Sequence, residues 1–270
     1  MEQASVNGIT LEYEEKGSGE PVVFIHGALI ANTFEPLMAE PALNGFRLIR
    51  YHRRGHATST QGEGPLPVSI HSADCLALLR HLTATPAHVV GHSGGGVIAL
   101  QLVRDAPEAV RSLTLMEPAL LDVPSGTQLL TKAMGIVQMY QSGDRSGAVH
   151  EFLRSVCGET YRERVEAAIP GALEQATKDA DTFFGRELPA LTGWTFTQRD
   201  AAGFKRPVLS VLGAASEAVW PGYGEIHARV LDWFPDTKPF VLPGATHLLQ
   251  VENPRDMAAA LSSFLQAASD

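Results

Sequence analysis

The segment Gly91-His92-Ser93-Gly94-Gly95 constrains this 270-residue chain more than any other. It follows the β-branched run Ala87-His88-Val89-Val90 and opens an apolar helical pattern running from Ser93 to about Asp105. In that setting G-x-S-x-G marks a strand-to-helix turn so tight that side chains beside the serine would clash. The turn lifts the Ser93 hydroxyl above a sheet, next to a helix N-terminus that favours negative charge. A purely structural glycine turn is the plain alternative. A phosphate-cradling loop is a poorer one, because no G-K-S/T follows and no third glycine stands at dinucleotide spacing. Ser93 is the candidate nucleophile.

Around that turn, strand and helix patterns alternate. Ile9–Glu14 alternates apolar and polar after the Asn7-Gly8 turn signal, and Pro21–Ile25, Phe46–Tyr51, Ala87–Gly91 and Val110–Met116 are short apolar runs. Helical patterns occupy Ser69 to about His81 and Ser93 to about Asp105, the second ended by Pro107. Residues 119–205 differ: they hold helical stretches (Gln128–Gln141, Gly147–Val156, Arg162–Ile169) and no convincing strand. Alternation resumes with Pro207–Leu212, a helix over Ile226–Phe234, Pro239–Leu242 and a closing helix over Pro254–Leu265. The expected architecture is α/β, with a mostly parallel sheet flanked by helices. Its core takes residues 1–118 and 206–270, and 119–205 form an inserted helical cap.

Composition narrows the function. Asp plus Glu number 30 against 21 Lys plus Arg, a formal charge of −9, and the Arg53-Arg54 pair is the one short basic cluster. Such a chain repels phosphate backbones, so nucleic acid is not an expected partner. Cys75 and Cys157 form neither a disulfide framework nor a C-x-x-C pair. The first residues lack a basic n-region and an apolar h-region, and no apolar run reaches membrane-spanning length. A cytoplasmic protein with no membrane partner is the expectation, with homo-oligomerisation left open.

With Gly91–Gly95 in place, the chain resembles the α/β-hydrolase fold family over nearly its whole length. His26-Gly27-Ala28 after the Pro21–Ile25 run is similar to the family's oxyanion-loop H-G-x motif, and Arg54-Gly55-His56 resembles its R-G-x segment. His52 stands where the family usually has Asp, and Ala57 where it has a second Gly. A serine hydroxyl needs a base, and the resemblance places it after the last strand, at His247 in Pro243-Gly244-Ala245-Thr246-His247. Of the remaining histidines, His26 and His92 are expected to line the site, and His71, His81, His88, His150 and His227 to be surface or helix residues. His52 and His56 lie on a glycine-containing loop, which does not suit a metal pair.

The acid departs from the family pattern. The usual Asp after the post-cap strand is Ser216 here, in Gly213-Ala214-Ala215-Ser216, and a hydroxyl cannot balance an imidazolium. Glu117 closes the strand beside the nucleophile's strand, where catalytic groups gather, and its longer side chain could reach the histidine. Glu217 is adjacent to the usual position but shifted in register. A chain with no working acid is the third reading. Glu117 is preferred, and zearalenone lactonases look similar in placing Glu there.

By the same resemblance, the backbone N–H groups of Ala28 and Gly94 would form the oxyanion hole. Phe184, Trp194 and Trp220, with Phe183, Phe196 and Tyr223, are candidates for an apolar substrate pocket, although aromatic residues in a helical insertion also serve as its own core. The expected function is hydrolysis of a small apolar carboxylic ester or lactone, a macrocycle such as zearalenone included, through an acyl-enzyme. It needs no cofactor and no metal. Alternatives are a carbon–carbon bond hydrolase, a cofactor-free haloperoxidase, or a catalytically weak ligand-binding member of the fold.

Overall fold

The computed structural model describes residues 1–269. Eight strands form one sheet: β1 (Glu2–Val6), β2 (Ile9–Lys16), β3 (Pro21–Ile25), β4 (Arg47–Tyr51), β5 (Ala87–His92), β6 (Val110–Met116), β7 (Val208–Gly213) and β8 (Lys238–Leu242). Their order is β1-β2-β4-β3-β5-β6-β7-β8. β2 pairs antiparallel with both β1 and β4, and every other pairing is parallel. Asn7 and Gly8, both at positive φ (48° and 75°), close the β1–β2 hairpin as its two-residue turn. Sequence periodicity does not reveal β1, because only Ala4 and Val6 of its five residues are buried.

The central strands are covered on both faces, which requires their near-continuous apolar character. Helices Val68–His81, Gly94–Asp105 and Gly222–Trp233 share one core cluster with residues such as Val23, Val89 and Leu113. Glu35–Met38 and the terminal helix Pro254–Ser269 pack the other, around Phe24, Val90 and Met116. β8 is an edge strand with only Leu242 buried, and its Lys238 and Pro239 suit an edge that should not recruit another.

Between β6 and β7 the described residues form helices and turns but no strand. Gly126–Gln141, Arg145–Cys157, Tyr161–Ala168 and Ala172–Lys178 are followed by Ala180–Thr182, a π-helical turn at Phe183–Glu187, and Leu188–Leu191. Their apolar faces build a third cluster that includes Leu29, Ile30, Leu248 and Val251, from the segments beyond the carboxyl ends of β3 and β8. The insertion therefore sits over the sheet edge where a site is expected.

Candidate active site

Ser93 stands between β5 and the Gly94–Asp105 helix, as its N-cap, with φ 54° and ψ −120°, a backbone state that costs about 1–3 kcal/mol and persists only where the surroundings impose it. Here close packing imposes it. A Cβ on Gly91 would lie 2.5 Å from the Gly95 carbonyl oxygen, and one on Gly95 would fall inside the Ile25 carbonyl. One on Gly96 would lie 2.7 Å from Pro118 Cβ. The Ser93 amide donates to Met116 O (3.0 Å) and its carbonyl accepts from Ala119 N (3.1 Å), tying the turn to the end of β6.

Glu117, one residue past β6, is 2% exposed and has φ 45°. Its Oε1 accepts the Gly213 amide at 2.7 Å, and His247 Nδ1–H donates to its Oε2 at 2.6 Å. Glu217, the rival acid, is exposed on the short Ser216–Val219 helix, with its carboxylate against Gly224. Ser216 is fully buried, and its hydroxyl has no partner among the described residues.

The His247 ring is held between two others. Tyr223 stacks on it with centroids 4.6 Å apart and planes at 23°, while its own hydroxyl donates to Val156 O at 2.7 Å. His92 lies 4.6 Å away on another side, and its Nε2–H donates to the His247 carbonyl at 2.8 Å. Gln250 Nε2 lies 3.2 Å from His92 Nδ1, which fixes a neutral tautomer. Burial first, and the neighbouring His247 second, hold the His92 imidazole well below the ordinary histidine range.

Ser93, Gly94, Ala28, Glu117 and His247 all line one cavity. Its remaining wall is apolar, from Leu129, Ile136, Phe152, Phe183, Leu191 and Trp220 among others, which suits an apolar ligand. The Ala28 amide nitrogen lies near Gly94: a Cβ on Gly94 would lie 3.9 Å from it. Neither amide donates to a backbone carbonyl among the described residues. The arrangement offers a hydroxyl, a charge-backed imidazole and two free donors around one space, the set that acyl transfer needs.

Several expected pocket residues lie elsewhere. His26 is not on this cavity; it is buried behind the loop, with Nδ1 2.9 Å from Gly27 O and Nε2 accepting Arg53 N–H at 3.1 Å. Trp194 stacks on Phe196 and donates to Gln101 at 2.7 Å, away from Ser93, because aromatic residues at the base of the insertion complete its own packing. Phe184 is buried within the insertion and stacks on Tyr140 off this cavity, and its neighbour Phe183 lines the cavity instead. His92 lines a smaller adjoining space with Ser93 and His247, and Trp220 lines the main one. His88, expected on a surface or helix, is fully buried on β5 beside Ser112, since β5 is covered on both faces. His52, in the usual Asp position, instead bridges Glu12 and Asn32 at 2.9 and 2.6 Å. Sequence reasoning missed Gln250, Arg53 and Glu187; only the adjacency of Arg53 to the R-G-x segment hinted at any of them.

Comparison with known proteins agrees with this fold. A family model described as alpha/beta hydrolase fold matches residues 20–254. The chain is 30% identical over 276 aligned positions to BpoC of Mycobacterium tuberculosis, provisionally named a non-heme bromoperoxidase, covering 95% of this chain and 97% of that one. Among solved structures, a thermophilic esterase from Thermogutta terrifontis superposes with a TM-score of 0.84 at 19% identity, covering all of both chains. The enol-lactonase from Burkholderia xenovorans LB400 superposes with 0.79 at 20% identity, covering 98% of this chain and all of that one. At these identities the two structures speak for the fold.

Proposed function

We propose that this chain, which belongs to the α/β-hydrolase fold family, cleaves an apolar carboxylic ester or lactone through an acyl-enzyme. In this reading residues 119–205 cap the site. Ser93 attacks the carbonyl carbon while His247 takes its proton, and Glu117 balances the resulting imidazolium. The carbonyl oxygen becomes an oxyanion facing the amides of Ala28 and Gly94. His247 then returns the proton to the leaving alcohol, and water, deprotonated by the same imidazole, releases the acid. The observation that carries the reading is the 2.6 Å contact from His247 Nδ1 to the buried Glu117 carboxylate, on the same cavity as Ser93. A macrocyclic lactone is the finer substrate class, suggested by the placement of the acid and by an apolar wall.

A second reading keeps the acyl-enzyme and changes the acceptor. The BpoC relative, by its name, favours hydrogen peroxide in place of water, which would release a peracid able to oxidise bromide. Intact mass after incubation with a fluorophosphonate, for wild type and Ser93→Ala, tests the shared step. A single adduct on wild type that is absent from Ser93→Ala is expected, followed by hydrolysis within an ester and lactone panel. An unlabelled wild type would sink both readings and favour a ligand-binding role. Peroxide-dependent bromination without measurable hydrolysis would choose the second.

A further inference from the structure

Behind the Ala28 amide lies a buried polar cluster that the proton path does not use. Arg53, in the loop after β4, is 3% exposed, and its Nη2 donates to the Gly27 carbonyl at 2.9 Å. The same guanidinium donates to the Glu187 carboxylate through Nη1 and, at 3.2 Å, through Nη2. Glu187 comes from the π-helical turn Phe183–Glu187 of the inserted helices. His56 Nε2 and His71 Nε2 stand 3.0 and 2.8 Å from its Oε1. Burial works to raise the Glu187 carboxyl, and Arg53, His56 and His71 together outweigh it and hold it well below the usual carboxylate range. The result is a charged, multiply bonded pair whose geometry is fixed on both sides.

What that pair grips is one peptide unit. Gly27 C=O and Ala28 N–H belong to the same trans plane and point in opposite directions, so holding the carbonyl aims the amide. His26 Nδ1 is the second group on that carbonyl, at 2.9 Å. Gly27 has no side chain to restrict it, and a Cβ there would sit 3.0 Å from Ser93 Cβ, so the peptide needs an external hold. The carbonyl's cationic donor also polarises the peptide, which strengthens its N–H for an oxyanion.

We infer that Arg53, itself held by Glu187, is a positioning residue that locks the Gly27–Ala28 peptide with its N–H toward the carbonyl attacked by Ser93. This rests on the acyl-transfer reading above. Arg53 acts through Ala28 and need not touch the reacting atoms. Phe183, from the same π-helical turn as Glu187, lines the main cavity, so the wall that meets substrate and the clamp on the oxyanion donor share one element.

The test uses Arg53→Met/Glu187→Gln, which removes both charges together, and Arg53→Lys, which keeps a cation but loses the planar fork. On an ester that wild type cleaves, both variants should keep KM and lose kcat, by on the order of ten- to a hundredfold for the double variant and less for Arg53→Lys. Inhibition by phenylboronic acid, whose serine adduct places an oxygen in the oxyanion hole, should weaken by the same factor. A merely structural role would not tie the two losses together. Folded variants with wild-type kcat and boronate affinity would overturn the inference, as would a loss confined to KM. Should the double variant not fold, an unchanged Arg53→Lys overturns it alone. A wild type that neither hydrolyses esters nor takes the fluorophosphonate would instead overturn the acyl-transfer reading beneath it.

Discussion

Glu117 does two jobs with one carboxylate, since Oε1 takes the Gly213 amide and Oε2 faces His247. Glu117→Gln keeps the volume and an acceptor but removes the counter-charge. Its rate of fluorophosphonate labelling should fall by on the order of 10³–10⁴, as for other acids of such triads. Wild-type labelling in Glu117→Gln, with slow labelling in Glu217→Gln, would transfer the role to Glu217. At this scale the sequence was readable wherever a residue sits in a local pattern: Ser93 in its glycine turn, His247 after the last strand. It was silent where partners are distant. Arg53 and Glu187 lie 134 residues apart, and no periodicity links an arginine in one loop to a glutamate on a π-helical turn. Phe184 was misplaced for a related reason, since Phe183 and Phe184 differ by one helical step and only the packed insertion decides which lines the cavity.

At the element scale, the turn around Ser93 depends on glycines for different reasons. Gly95→Ala drives a methyl into the Ile25 carbonyl, and Gly91→Ala drives one to 2.5 Å from the Gly95 carbonyl. Backbone cannot step aside cheaply, so each should lose about 1–3 kcal/mol or more in urea unfolding. Gly94→Ala meets nothing closer than Ala28 N at 3.9 Å and should unfold like wild type. Equal unfolding midpoints for all three would show that packing does not set this turn. Strand β2 was legible by its alternation, the strands from β3 onward by apolar runs that burial on both faces requires, and the longer helices by their period. Strand β1 was not, and neither were Ala172–Lys178 and the short turns up to Leu191, which are held by the third core cluster more than by their own pattern.

For the whole molecule, buried histidines set the acid limit. Burial, as the largest cause, keeps His26, His71, His88 and His92 below their ordinary value of 6.5. In the unfolded chain these groups protonate near 6.5, whereas the folded chain resists. The unfolded state therefore binds more protons below that pH, and stability falls as the pH drops, by up to about 1.4 kcal/mol per unit for each group. Glu187 acts in the same direction in a lower window: its contribution is present above about 4.5 and is lost as pH falls through its lower folded value. Melting between pH 7 and 5.5 should show Tm dropping by roughly 5–10 °C. A flat profile would mean that these imidazoles accept protons without unfolding. The placement of the acid has a consequence for what this scaffold tolerates. On the proposed reading, with Glu117 just past β6 as the acid, the loop after β7 has no catalytic duty, and Ser216 there keeps a buried hydroxyl with no partner among the described residues. The framework thus offers two berths for one carboxylate and fills one. A vacant berth is room in which a lineage, or an engineer, can move the charge between strands while base and nucleophile stay where they are.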